Sequence, residues 1–198
     1  MKKIGIFGGS FSPPHNGHLL AARQFMDAMS LDELLVMPTY VSPHKQNKNT
    51  LSSAHRLAMT RLAFASLPGA TVSDYEAEKG GVSYTADTLT HFAKEGELYF
   101  LCGTDMFLSL SSWYRPDIIF KNANIVVVSR EKGHEKEIRE AAERYRSTYE
   151  NVRVTVLENK VLPLSSTEVR NAIAEGKDVS QLIPPSVEVY IREHKLYL

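Results

Sequence analysis

Short apolar runs alternate with longer amphipathic stretches along nearly the whole chain, and this alternation limits the folds open to it. Six runs, at 3–7, 33–37, 70–75, 98–102, 124–129 and 152–156, read as strands. Several are rich in Val and Ile and are bounded by Gly, Pro or polar turns, as buried strands are. Helical patterns follow at 17–29, 54–66, 85–94 and 135–149, and two more close the chain at 167–175 and 186–194. Strands separated by helices cannot pair as hairpins, so the expected α/β architecture is a parallel sheet with helices on both faces. No internal repeat or low-complexity linker interrupts the pattern. The longest polar break, 39–53, carries His44, Lys45 and Lys48. The charged stretch 131–146 reads as a solvated helix face with Ile138, Ala142 and Tyr145 turned inward.

The bulk numbers remove several classes of function. A chain of 198 residues suits one domain with a sizeable core. Lys and Arg number 23 and Asp and Glu number 23, so there is no global basic field to hold DNA or RNA, and no nucleic-acid partner is expected. Cys102 is the only cysteine, so no intrachain disulfide can form, which fits a reducing compartment. The first apolar run is broken by glycine and too short for a signal peptide. No stretch approaches membrane-spanning length, and a soluble cytoplasmic protein is expected. Oligomeric state is left open.

The segment from Gly8 to His18 carries the first chemical signal. The strand Ile4-Gly5-Ile6-Phe7 runs into Gly8-Gly9, then Ser10-Phe11-Ser12-Pro13-Pro14, then His15-Asn16-Gly17-His18 at a helix start. Glycines at a strand end let the backbone approach a ligand, and a helix beginning there presents unpaired N–H groups and a positive dipole end, which suits phosphate. His15 and His18 are three residues apart, which in a helical turn puts both imidazoles on one face. They can donate to phosphate oxygens and, when protonated, add charge as negative charge develops. The spacing is neither the dinucleotide-binding G-x-G-x-x-G nor a P-loop.

A second anion site is suggested at Leu164-Ser165-Ser166-Thr167-Glu168-Val169-Arg170. Ser165 with Glu168 forms a capping box, which on its own marks only a helix start. The same geometry exposes hydroxyls and N–H groups to an anion, and Arg170 can grip phosphate oxygens in a fork.

Residues 9–18 resemble the H-x-G-H signature of the adenylyl- and cytidylyltransferase superfamily, and Ser165 or Ser166 with Thr167 and Arg170 resembles its S-x-T-x-x-R signature. The resemblance implies a Rossmann-like, doubly wound sheet and attack by a phosphate on the α-phosphate of a nucleoside triphosphate, releasing pyrophosphate. It implies an ATP site made by Gly8, Gly9, Ser10, Phe11, His15, His18, Gly103, Asp105, Ser165, Ser166, Thr167 and Arg170, with His18, His15 and Arg170 catalytic. Four further strings resemble bacterial nicotinate-mononucleotide adenylyltransferases: His55–Met59, Ser83–Leu89, Gly103–Asp105 with Trp113, and the tail from Leu182 to Tyr197. That family joins ATP and nicotinate mononucleotide in NAD biosynthesis, and the resemblance implies an acceptor site at Ser83, Tyr84, Thr85, Trp113 and Tyr114, with Lys45 reaching a phosphate.

The chemistry is compatible with that assignment. A pyridine ring can stack on the indole of Trp113, although Trp113 also reads as a half-buried core residue. Backbone N–H groups near Thr85 and Tyr114, as the resemblance implies, would hold the ring carboxylate. Asp105 suits ribose hydroxyls or a plain helix cap, and Lys45 reads first as a solvated loop lysine. A phosphate nucleophile is already ionised, so no general base is needed. Mg²⁺ is expected to arrive with ATP, because no carboxylate cluster is visible to cage it and no protein metal site is expected. Ser12 stands where the nicotinate-mononucleotide branch usually has Asp, and Ser10 where it has Thr. Two other readings stay open: an enzyme acting on another acceptor, such as phosphopantetheine, and a non-catalytic nucleotide-sensing module.

Overall fold

A computed structural model describes residues 1–43, 51–128, 133–157 and 164–198. Six strands, β1 (Lys3–Gly9), β2 (Glu33–Pro38), β3 (Ala70–Val72), β4 (Glu97–Gly103), β5 (Ala123–Val128) and β6 (Val154–Leu157), form one sheet in the order β3-β2-β1-β4-β5-β6. Every pairing between them is parallel. The chain winds outward from β1 to β3, returns to β4 beside β1, and winds outward the other way. The change of direction leaves a crevice between the carboxyl ends of β1 and β4, where doubly wound sheets bind ligands.

Side-chain alternation along the strands fills a core on each face. Ile4, Ile6, Leu98, Phe100, Ile125 and Val127 share one core with Leu89, Phe107, Phe120 and Ile138. Phe7, Val36, Leu101 and Val126 share the other with Phe25, Met59, Val169 and Val187. Gly5 lies between Ile4 and Ile6 and faces the second layer. A Cβ there would stand 2.4 Å from Leu31 Cδ1 and 2.8 Å from Phe25 Cε1, so the glycine permits close approach of helix to sheet.

The six expected helices are present as α1 (Asn16–Met29), α2 (Ser53–Phe64), α4 (Thr85–Phe92), α7 (Glu135–Thr148), α8 (Ser166–Ala174) and α9 (Pro185–Glu193). On α7, Ile138, Ala142 and Tyr145 are buried, as the amphipathic pattern predicts. Three short helices were not anticipated: α3 (Tyr75–Lys79), α5 (Thr104–Ser109) and α6 (Pro116–Asn122). None spans two turns, so periodicity has little to register. The expected strand at 70–75 stops at Val72, because Asp74 and Tyr75 turn into α3. No helix among the described residues is long and apolar enough to cross a membrane.

Candidate active site

The loop after β1 carries the first candidate group. His15 is the N-cap of α1, in extended conformation and 2 % exposed, so it sits beneath the loop rather than on a helix face. Its ring nevertheless stacks on that of His18, with centroids 3.6 Å apart. The backbone N–H of His15 donates to His18 Nδ1 at 3.1 Å. With Nδ1 accepting, the neutral ring carries its proton on Nε2, which makes that edge a donor. Phe11, 5.0 Å away centroid to centroid, also packs on the His18 ring in a T-shaped contact. The imidazole is therefore fixed in place before any ligand arrives.

Phe11 itself is 1 % exposed and packs on Phe7 and Phe64. Its side chain therefore belongs to the core of that face. Gly8, the penultimate residue of β1, and Gly103, the last of the adjacent β4, have open space beside them: a Cβ built on either meets nothing within 4 Å. The space above the switch point begins at these two residues. Asp105 lies in the first turn of α5, exposed, with Gly103 as the N-cap. It does not cap the helix, so its carboxylate is available for hydroxyl groups at the β4 end.

The two signatures, more than 150 residues apart in sequence, are bonded to each other. Arg170 Nη1 donates to the Ser12 carbonyl at 2.8 Å, and Ser166 Oγ donates to the Pro13 carbonyl at 2.9 Å. Arg170 Nη2 also donates to Thr167 Oγ1 at 3.0 Å. The capping box is real: Ser165 N–H donates to Glu168 Oε2 at 2.6 Å, and Glu168 N–H donates to Ser165 Oγ at 3.2 Å. The hydroxyls of Ser165 and Ser166 are thus spent on the helix start and on the first loop. What remains for an anion is the opening amides of α8, Thr167 and the arginine.

Arg56 is the main residue that the sequence reading gave no role. It is 2 % exposed and its guanidinium donates to three carbonyls: Leu51 from Nε, Ser10 from Nη1 and Tyr40 from Nη2, at 3.1, 3.0 and 2.8 Å. One buried cation thereby ties the glycine loop, the segment after β2 and the entry to α2. Burial lowers its pKa from the usual arginine range, opposed by the charges of Tyr197 and Glu76. Among the described residues no carboxylate forms an ion pair with Arg56 or Arg170.

Of the residues expected to hold the acceptor, Tyr84 and Tyr114 meet. The rings of Tyr84 and Tyr114 lie 4.5 Å apart, joining the start of α4 to the turn before α6. Tyr84 is the N-cap of α4 and Thr85 its first residue, so the amides of that turn lack helical acceptors by position. Trp113 is half-buried, packs on Phe100, and donates from Nε1 to Ser109 Oγ at 3.1 Å. It is a core-edge residue, next to Tyr114 in the sequence. Ser83 is 8 % exposed and its hydroxyl accepts the Tyr40 N–H at 2.9 Å, so its side chain ties the start of α4 to the segment after β2. Lys45 lies outside the described residues.

Between α3 and α4, Glu76 Oε1 accepts the Thr88 hydroxyl at 2.8 Å. Burial holds the Glu76 carboxyl above its ordinary range, against hydrogen bonds from Ser83 and Thr88 and the charges of Lys79 and Arg56. A carboxyl that binds its proton more tightly when folded makes stability fall as pH rises from the ordinary glutamate range through the raised native one. Glu76→Gln is expected to flatten that decline, read by urea unfolding of both proteins from about pH 4 to 8. Parallel stability curves would refute the assignment.

Two helix starts from opposite ends of the chain therefore adjoin at the switch point of a parallel sheet, with a fixed imidazole on one and a guanidinium on the other. That layout defines a nucleotidyltransferase on a Rossmann-like scaffold. The comparisons agree: residues 6–172 match the model of the family described as cytidylyltransferase-like. A Clostridium botulinum protein named "Probable nicotinate-nucleotide adenylyltransferase" is 37% identical over 198 residues, covering 100% of this chain and 98% of its own. A Clostridium beijerinckii protein of the same name is 35% identical over 204 residues, covering 100% of both. The chain belongs to the cytidylyltransferase-like family and, within it, groups with the nicotinate-nucleotide adenylyltransferases. Plasmodium falciparum nicotinic acid mononucleotide adenylyltransferase, solved with NaAD, superposes with a TM-score of 0.79 at 18% identity, covering 100% of this chain and 98% of that one. The same enzyme complexed with APC gives 0.77 at 18% identity, with the same coverage. At that identity the likeness shows the fold.

Proposed function

We propose that this protein transfers the AMP group of ATP to nicotinate mononucleotide, giving deamido-NAD and pyrophosphate. The observation that carries this reading is the direct bonding of Arg170 and Ser166 to the carbonyls of Ser12 and Pro13. That bonding supports reading the two helix starts as the two halves of one triphosphate site beside His18. An oxygen of the acceptor's 5′-phosphate attacks the α-phosphorus. A P–O bond forms as the bond to the bridging oxygen breaks, and pyrophosphate leaves with that electron pair. The attacking oxygen is already anionic, so no base is needed. The loop amides and His18 Nε2–H stabilise the α-phosphate oxygens as charge builds. The α8 amides, Thr167 and Arg170 hold the leaving phosphates.

Mg²⁺ would enter bound to the triphosphate and offset its charge. Among the described residues no group of three or more His, Cys, Asp or Glu is placed to hold a metal. Asp105 suits a ribose diol, and Gly8 and Gly103 leave the room that a nucleoside needs. The nicotinate carboxylate would accept from amides at the start of α4 and beside Tyr114, while the pyridine ring lies against Trp113. A neutral carboxamide presents a donor where those amides need an acceptor. Pyrophosphate release with ATP should therefore be at least ~10-fold faster with nicotinate than with nicotinamide mononucleotide, the scale of one unmatched polar contact. Equal rates would overturn the amide–carboxylate pairing, and release only with another acceptor, such as phosphopantetheine, would overturn the acceptor assignment.

A further inference from the structure

We infer that Tyr197, one residue from the end of the sequence, is a positioning residue for nucleotidyl transfer, acting through the hydroxyl of Ser12. This inference rests on the proposed reaction and assigns Tyr197 no contact with substrate. Its hydroxyl lies 3.0 Å from Ser12 Oγ, across 185 positions of sequence. The tail is led there by a specific path. After α9, Lys195 and Tyr197 adopt left-handed backbone torsions, φ 50° and 64°, which non-glycine residues rarely take. Between them Leu196 is buried, and its N–H donates to the Ile191 carbonyl at 3.0 Å. The chain end is therefore folded back and anchored, with its phenol pointed at the loop.

Ser12 is where several restraints on that loop meet. Its carbonyl takes the Arg170 donor, its neighbour Pro13 takes Ser166, and Ser10 takes Arg56. Each of these fixes a backbone carbonyl. Among the described residues, the Tyr197 contact is the one hydrogen bond recorded to the Ser12 side chain. It is a neutral contact: burial pushes the phenol up to about 12, despite the nearby charges of Arg170 and Arg56, so the hydroxyl keeps its proton at neutral pH. A carboxylate at position 12 would face those two cations. A serine leaves their charge to the triphosphate and uses the tyrosine to hold its own orientation. Residues 10–14 lead directly from the end of β1 into His15 and His18. A small displacement of this loop therefore reaches the transition state without unfolding the protein.

The test compares Tyr197→Phe, Ser12→Ala and the double variant with the wild type in the full chain. Pyrophosphate release, thermal melting and amide hydrogen exchange are measured for each. Tyr197→Phe is expected to lower kcat ~10-fold with little change in KM for the acceptor, a loss typical of imperfect positioning. Ser12→Ala should match it, and the double variant should be no worse than the poorer single, because both remove one contact. Exchange should quicken at residues 10–18 and stay unchanged in the central strands. A kcat within twofold of wild type, multiplying losses in the double variant, or a uniform rise in exchange would each overturn the inference. If wild type releases no pyrophosphate with nicotinate mononucleotide, the reaction assignment falls, and the local exchange pattern still decides the role of Tyr197.

Discussion

Replacing His18 with alanine is expected to lower turnover at least ~100-fold, the scale of losing a preorganised donor to a transition-state oxyanion. The ring is held by the His15 N–H at Nδ1, by the stacked His15 ring and by the edge of Phe11. It loses little freedom when substrate binds, so most of its hydrogen-bond strength can go to the transition state. The loss should accordingly fall on kcat more than on KM for ATP. Steady-state pyrophosphate release on a variant with a wild-type melting curve measures this. Turnover within a few-fold of wild type would remove His18 from the chemistry. His18→Gln should recover little, because an amide on a flexible stem lacks the packed support.

The second large effect is on stability. Arg56→Met keeps an unbranched apolar stem and deletes the guanidinium donors. The carbonyls of Ser10, Tyr40 and Leu51 would then compete for whatever water can enter a site that is 2 % exposed. Part of the loss is offset, because methionine is cheaper to bury than a guanidinium. A net cost of ~3 kcal/mol is expected from the unpaired carbonyls. For a chain of this size that corresponds to a fall of ~6–12 °C in Tm. Arg56→Lys should stay close to the methionine variant, since one ammonium cannot reach three divergent acceptors. Calorimetry on both variants settles the point, and an unchanged Tm would mean that these bonds contribute nothing net.

Much of this molecule was legible from the chain alone. All six strands fell where short apolar runs stood, and the long helices fell where the 3.6-residue period was sustained. The capping box at Ser165 and Glu168 formed as read. What local reading lost were the short helices α3, α5 and α6, which depend on single turn or capping residues and on packing. Arg115 illustrates the difficulty: it takes a left-handed conformation, φ 50°, directly before the proline that starts α6. Nothing in its own sequence neighbourhood requires that.

The sequence determined the materials of the site: glycines at the end of β1, imidazoles three residues apart, and a hydroxyl-rich helix start with an arginine one turn along. These are local facts, set by spacing along one segment. Only the tertiary structure decided that Arg170 and Ser166 reach the carbonyls of Ser12 and Pro13, that Phe11 belongs to the core, and that His15 lies beneath the loop. It alone brought Arg56 and Tyr197 to the same loop from α2 and from the tail. Such contacts join residues tens to well over a hundred positions apart. Their geometry comes from strand order and from helix packing on two faces, and no periodicity along the chain encodes either.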